Sequence, residues 1–492
     1  MGIANKSKPI NAASIKRNFV LNLLNTVTAL LFPLITFPYA SRILFAEGIG
    51  RVQFFLSIID YIALCTALGI PLYAVREIAR VRDDTVLRSK TTTEILLLHA
   101  LLTLAGYGVV LLLAFTIAKI EVDVPLFLLL SATLFFNAIG VAWFYQAIED
   151  FKYITIRTLI VRVVSLVTLF VFVKNRNDLF YYAAILVIAN VGSNVFNFFR
   201  LRKYILFIPW KELNLWKHLK PALRIFILNL MISIYVNLDS IMLGFLKDEQ
   251  AVGFYTAATR VTKAVIGIVS SLGMVLLPRF SNMISNRQLK DFRALADKAV
   301  SFIICLCLPM ATGIVFMSTP IIHLFCGPDF DPSIFTLQLI APTILFIGIS
   351  GILGMQILYP QGKEKLVIIA TGTGAVINFT LNYLLIPQYF QYGAAFSTSI
   401  AELSVLVTII LIGKRFLPIR FISRQNLQYV LGTLLITFFL FLINHVRLND
   451  YLKVLIGIPA SIILYSLYLY SRKDIFALQI KNILVSKLKL HI

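Results

Sequence analysis

Charged side chains are scarce in this chain. They make up 14% of its 492 residues, whereas a soluble domain carries about a quarter. Acidic residues are scarcer still, with 23 Asp and Glu against 45 Lys and Arg. With 59% hydrophobic residues and a mean hydropathy of +0.87, the composition excludes an ordinary soluble globular class. Cysteine is limited to Cys65, Cys305, Cys307 and Cys326, and no two form a Cys-x-x-Cys pair. Neither a zinc site nor a disulfide framework is therefore predicted, and no other metal site is indicated. The Gly-x-x-x-x-Gly-Lys-Ser/Thr phosphate loop is absent, so ATP hydrolysis is not expected. No residue pattern marks a catalytic centre, and no cofactor is implied. Asp329-Phe-Asp331 has the Asp-x-Asp spacing of metal-dependent glycosyltransferases, but Gly327-Pro328 and Pro332 around it read as a turn.

What fills the chain is long apolar runs. A spanning helix needs about 20 mostly apolar residues. Such segments lie near 18–42, 52–73, 93–118, 124–146, 155–173, 180–199, 220–245, 256–278, 299–319, 333–358, 366–386, 392–413, 427–445 and 452–471. The predicted class is an all-α integral membrane protein with about 14 transmembrane helices. The net charge of +22 suggests nucleic acid at first sight. Sorted by loop, it does not. With the N-terminus inside, 34 Lys and Arg fall on cytoplasmic ends and loops and 8 on external ones. That is the positive-inside bias, so both termini are expected in the cytoplasm and no nucleic-acid partner is expected.

A weak internal repeat divides the chain. Gly69 and Gly273 are 204 residues apart, and the same offset places Asn25 on Asn229. Six segments separate the copies, so both enter the membrane in the same direction, as a parallel repeat. The expected organisation is a six-helix lobe over 1–203, a cytoplasmic linker over 204–217 with Trp210 and Trp216, a second six-helix lobe over 218–420, and two further helices with a basic tail over 421–492. The linker reads as an amphipathic interfacial stretch.

Polar residues inside apolar segments carry the chemical signal, because each is costly in lipid. Asn18, Asn22 and Asn25 share one helical face. Asn229 and Asn237 repeat the pattern in the seventh segment, and Asn194 lies in the sixth. One reading is a hydrophilic cavity whose amides bond sugar hydroxyls. The other is helix–helix contact, a common use of Asn and Ser in membranes. Arg260 and Lys263 lie one turn apart in the eighth segment and need an anion, a carboxylate or water. A bound phosphate suits the planar guanidinium, and snorkelling to the nearby surface is the alternative. Arg42 and Arg51 flank the first external hairpin as further candidates for the same anion, with a plain interface anchor as the alternative for either. Arg162 is read as close enough to a segment end to snorkel. Asp60, Asp239 and Glu402 read as proton or sodium sites, or as structural partners of the arginines.

The stretch Trp143-Phe-Tyr-Gln-Ala-Ile-Glu149-Asp150-Phe-Lys152-Tyr resembles the polysaccharide-biosynthesis flippases, the O-antigen and capsule repeat-unit translocases. Supporting matches are Phe37-Pro38-Tyr39 with Arg42, Gly69-Ile-Pro71, Gly253-Phe-Tyr255 with Arg260, Leu276-Leu-Pro278-Arg279 and Gly393-Ala-Ala395. The resemblance covers roughly residues 10 to 420 and places the chain in the superfamily of multidrug and polysaccharide exporters. It implies two lobes working by alternating access, in the bacterial cytoplasmic membrane. The implied substrate is an oligosaccharide on undecaprenyl pyrophosphate, and Arg260 matches a cavity arginine of the lipid II flippase. Membrane lipids, a coupling proton or sodium ion and a polysaccharide polymerase are the implied partners. Two other readings stand beside it: a cation-coupled multidrug exporter, and a membrane enzyme acting on lipid-linked glycans.

Overall fold

The computed structural model describes residues 15–233, 237–417, 421 and 423–479. All regular elements among them are helical. Eleven helical stretches are long and apolar enough to cross a membrane. Two of these each hold a pair of the expected segments. Ile15–Ala67 (α1) breaks at Phe45, whose φ is 57°, and Glu364–Gly413 breaks at Phe390, whose φ is 52°. The seventh segment is described as Leu219–Ser233 and Leu238–Leu246. All fourteen expected segments thus fall on helices, and the protein is a multi-pass all-α membrane protein.

The chain forms two compact units, Met1–Phe245 and Leu246–Ile492. In the first, α1 is followed by α2 (Ile70–Arg80), α3 (Thr85–Thr116), α4 (Ala118–Glu121), α5 (Val124–Ile139), α6 (Ala142–Ala147), α7 (Phe151–Phe172), α8 (Leu179–Val187), α9 (Asn194–Leu201), α10 (Leu219–Ser233) and α11 (Leu238–Leu246). The starts of several helices are set by short polar side chains. Asp84 accepts hydrogen bonds from the backbone N–H groups of Val86 and Leu87, each at 2.9 Å, and Asp150 accepts one from Tyr153 N. Such a cap contributes about 1 kcal/mol.

The aromatic stretch that carries the family resemblance is a folded corner. Trp143, Phe144 and Tyr145 are buried against Ile70, Tyr73, Ile95 and Leu98. Directly after them, Glu149 takes a positive φ of 60° and pairs with Arg82 at 3.1 Å. Asp150 caps α7 and pairs with Arg200 at 2.8 Å, while the Arg200 guanidinium lies 3.8 Å from the Tyr153 ring centre.

The stretch after α9 is tied to α3 by hydrogen bonds spaced along that helix. Arg88 donates to Tyr204 O at 3.1 Å, and Ser89 Oγ accepts from Leu206 N at 2.8 Å. Glu94, fully buried, accepts from Asn214 N at 2.9 Å, Lys217 Nζ at 2.6 Å and His218 Nε2 at 2.9 Å. The ring of His218 is held on its other side by the Tyr73 hydroxyl, 2.7 Å from Nδ1. Burial pushes the His218 pKa down, against the pull of Glu94, and a neutral ring with Nε2–H donating fits both contacts. The seventh segment therefore starts from a fixed point on the first unit.

Gly69 begins α2 with φ 72°. A Cβ there would lie 2.8 Å from Phe226 N and 2.9 Å from Ala222 O, both backbone atoms of α10. Gly69→Ala is expected to destabilise the protein by at least about 2 kcal/mol, since left-handed strain adds to a backbone clash. Gly108→Ala is the matched control, because its Cβ would meet nothing within 4 Å. Thermal melting in detergent reads the difference, and equal melting of the two variants would contradict this packing. The sequence equates Gly69 with Gly273, but Gly273 lies inside a continuous helix, so the repeat does not extend to local backbone at this pair.

The second unit contains α12 (Glu249–Ser285), α13 (Leu289–Phe316), α14 (Ser318–Phe325), α15 (Pro332–Ile340), α16 (Thr343–Gly351), α17 (Glu364–Gly413), α18 (Arg424–His445) and α19 (Asp450–Ser471). A π-helical turn, Ile352–Leu358, follows α16. The two last helices are fastened to α13 at its middle and at its C-terminal end. Tyr465 donates to Cys305 O at 3.0 Å, and Asn444 donates to Phe316 O at 2.5 Å.

Asp329-Phe-Asp331 forms a single 3-10 turn entering α15, as its flanking prolines predict. Asp331 there meets His323 Nε2 at 2.7 Å, and Asp450 meets His323 Nδ1 at 2.5 Å. Burial lowers the His323 pKa, but the two carboxylates outweigh it and the value rises above the usual 6.5. The folded form thus holds the proton more tightly than the unfolded one. Its stabilisation is complete below pH 6.5 and is lost as pH rises through the elevated folded value. Melting temperature should therefore fall more steeply between pH 6.5 and alkaline pH in the native protein than in His323→Gln. Parallel pH curves would sink this assignment.

Candidate functional site

In the first unit, α1 and α7 run side by side. Thr155 donates to Leu21 O at 3.1 Å near one end, and Tyr39 donates to Val173 O at 2.9 Å near the other. Between these points lies Arg162. Its Nη1 donates to Thr28 Oγ1 at 2.9 Å, to Asn25 O at 3.2 Å and, more weakly, to Asn25 Oδ1 at 3.5 Å. The α7 helix starts at Phe151, so Arg162 sits eleven residues in, about 16 Å along the axis. The sequence places it close enough to a segment end to snorkel, whereas in the fold its guanidinium is turned to polar atoms of α1.

A second cluster links α5, α7 and the sixth segment. That segment contains a π-helical turn, Ile188–Gly192, immediately before Ser193. Such turns expose backbone groups and recur at functional sites. Arg157 donates from Nη1 to Ser193 O at 2.6 Å, Ser193 Oγ at 3.2 Å and Asn194 Oδ1 at 3.5 Å. It is 8% exposed and makes no ion pair among the described residues. Asn194 Nδ2 donates to Phe136 O at 3.1 Å, Asn197 donates to Gly140 O, and Tyr145 donates to Asn197 O at 2.8 Å. These carbonyls are freed where the fourth segment breaks, at Gly140 and at Val141 with φ 33°. A Cβ on Gly140 would lie 2.6 Å from Asn194 Nδ2.

The other candidate residues are scattered over both units. Arg51 is paired with Glu47 at 3.2 Å and lies 3.7 Å from Asp123, so carboxylates already occupy it. Arg42 donates to Pro38 O at 3.1 Å within its own helix and is exposed. Asp60 accepts from Asn237 Nδ2 at 3.2 Å. Asp239 and Glu402 are each 5% exposed, on α11 and α17. On α12, Arg260 is half-buried and Lys263 exposed. Arg260 lies eleven residues into its helix, again about 16 Å from the start. The side chains of Asn22 and Asn229 lie outside the described residues.

Sequence reading missed several buried charges, Arg157 and Glu94 among them. Arg157 is counted with the loop charges because it sits near the start of an apolar run. Glu94 is likewise near a segment start, and its partners are more than a hundred residues away. The only local signal was the placement of each inside a helix rather than in the loop before it.

Comparison with known proteins agrees with this architecture. A family profile described as "Polysaccharide biosynthesis protein" matches residues 15–284, and a profile described as "MatE" matches residues 225–384. The chain is 25% identical over 397 residues to a protein of Shigella dysenteriae named as an O-antigen transporter, covering 80% of this chain and 98% of that one. A protein of the same name from Escherichia coli K12 is 23% identical, with 80% and 95% covered. Among solved structures, the lipid II flippase MurJ in an inward closed conformation superposes with a TM-score of 0.75 at 17% identity, covering 93% of this chain and all of MurJ. An inward-facing multidrug resistance transporter of the MATE family, in the MOP superfamily, gives 0.62 at 13% identity, covering 80% of this chain and 97% of that one. At these identities the solved structures share the fold. The first profile spans more than half of the chain, and on that match the protein belongs to the polysaccharide biosynthesis protein family.

Proposed function

We propose that the protein moves an oligosaccharide carried on undecaprenyl pyrophosphate from the inner to the outer leaflet of the bacterial cytoplasmic membrane, for O-antigen, capsule or exopolysaccharide assembly. It is a transporter and makes no covalent change to its cargo. Both termini lie in the cytoplasm, and the protein works by alternating access. The observation that carries this reading is the pair of cations one turn apart on α12, with Arg260 three turns into an apolar helix. Cations within an apolar helix suit an anionic ligand, and a pyrophosphate supplies one. Arg42 is an auxiliary contact for the same head group, and Arg51 joins it only by exchanging its carboxylate partners. Asn22, Asn25, Asn229 and Asn237 donate to sugar hydroxyls, while Asn194 is committed to the Phe136 carbonyl. The lipid tail stays in the bilayer, and polar donors replace the water that the head group loses. Protonation or sodium binding at Asp60, Asp239 or Glu402 couples the cycle to an ion gradient, and the exported unit passes to a polysaccharide polymerase.

A second reading, a cation-coupled multidrug exporter, has one observation in its favour. Asp239 and Glu402 are nearly fully buried carboxylates, as a cation site requires. Proteoliposomes separate the two. Protein-dependent movement of a fluorescent undecaprenyl-pyrophosphate oligosaccharide, read with an impermeant quencher, supports the flippase. No such movement, together with gradient-driven uptake of small organic cations, supports the exporter.

A further inference from the structure

The anion position proposed on α12 belongs to the second unit, and the first unit carries a cation of its own inside an apolar helix. The 22 residues of α7 span about 33 Å, close to the thickness of a hydrocarbon core. Arg162 is halfway along, and its guanidinium bonds to α1. Its protein partners, Thr28 Oγ1, Asn25 O and Asn25 Oδ1, are neutral and all meet Nη1. Among the described residues no carboxylate reaches it, and Nε and Nη2 have no acceptor. Those two nitrogens form the planar edge that binds two phosphate oxygens at once.

Arg157 is the contrast within the same helix. It is 8% exposed and its Nη1 lies against three oxygens of the sixth segment, so it acts as a strut. Arg162 is half-buried and less enclosed than Arg157. The same α1 face that carries Asn25 and Thr28 begins with Asn18, so the guanidinium stands at the deep end of a polar stripe.

We propose that Arg162, Asn25 and Thr28 form an anion-binding position in the first unit, at mid-depth in the membrane, which takes the phosphate oxygens of the substrate's pyrophosphate. That substrate assignment rests on the flippase reading; the anion position itself does not. The guanidinium edge binds the phosphate, while the Thr28 and Asn25 oxygens hold the guanidinium in plane. The shared chemistry is a phosphate oxyanion, from a pyrophosphate or from a phospholipid head group.

The test uses the purified full chain in the Arg260→Ala background, which removes the α12 position. Inorganic pyrophosphate is expected to raise its melting temperature, and Arg162→Gln to abolish that rise. Arg162→Lys should retain part of it. Thr28→Val weakens it without removing charge, which covers the case in which Arg162→Gln fails to fold. In proteoliposomes of the otherwise native chain, Arg162→Gln should slow translocation of the undecaprenyl-pyrophosphate oligosaccharide about tenfold or more. A pyrophosphate-induced shift that is the same with and without Arg162 overturns the proposal, even if the native protein translocates. An Arg162-dependent shift in a protein that translocates nothing keeps the anion position and removes the flippase reading. An Arg162-dependent shift caused by phosphatidylglycerol vesicles but not by pyrophosphate overturns the assignment to the substrate.

Discussion

Arg260→Ala is expected to stop export of the lipid-linked oligosaccharide while the protein stays in the membrane at normal abundance. The side chain is half-buried, three turns inside α12. A hydrogen bond to a charged group contributes about 1.5–3 kcal/mol, and a guanidinium can offer two to one pyrophosphate, so removal lowers the rate by roughly two orders of magnitude or more. Arg260→Lys keeps the charge and loses the planar fork, and should fall between. Lys263→Ala should cost less, because Lys263 is exposed and an exposed charge is partly screened. Surface display of the polysaccharide, measured beside immunoblots of the membrane fraction, decides the matter. Normal display in Arg260→Ala would remove this residue from the mechanism.

Glu94→Ala should be the most destabilising of the polar substitutions. Glu94 is fully buried and holds Asn214 N, Lys217 and His218 together. Alanine leaves the Asn214 N–H and the buried His218 Nε2–H without an acceptor, and breaking a buried network of this kind costs about 3–5 kcal/mol. Lys217 is partly exposed and can turn to water, so the lower part of that range is expected. Glu94→Gln retains one carbonyl acceptor and should lose less. The stretch between α9 and α10 should become sensitive to protease in Glu94→Ala at temperatures where the native chain resists. Unchanged proteolysis and melting would show that the network is not what holds it. Acid should act in the same direction. The His218 pKa is depressed by burial, so its contribution is complete above pH 6.5 and falls as pH drops below that value.

The aromatic stretch that suggests the family is understandable once folded. Trp143, Phe144 and Tyr145 fill the core, and Glu149 and Asp150 pair with Arg82 and Arg200. Its residues are there for a corner, so the match reported architecture and offered no binding residue. Asn194 and Asn197 illustrate the opposite difficulty. Their spacing is visible in sequence, but whether an amide faces a ligand or a neighbouring helix depends on where a freed carbonyl lies. Here the break at Gly140 supplies those carbonyls, and both amides donate to backbone oxygens.

The sequence by itself determined the helical membrane class and the fourteen segments, because hydrocarbon forces every spanning backbone to satisfy its hydrogen bonds internally, and apolar length then reports the span directly. It also placed Arg162, Arg260 and Lys263 within apolar runs, though not Arg157. Tertiary structure alone decided what each cation meets. Arg51 found carboxylates, Arg157 became a strut, and Arg162 kept an open edge halfway along α7. Those outcomes depend on acceptors up to 137 residues away along the chain. Nothing in local composition encodes such a pairing, because it arises only when α1 and the sixth segment pack against α7.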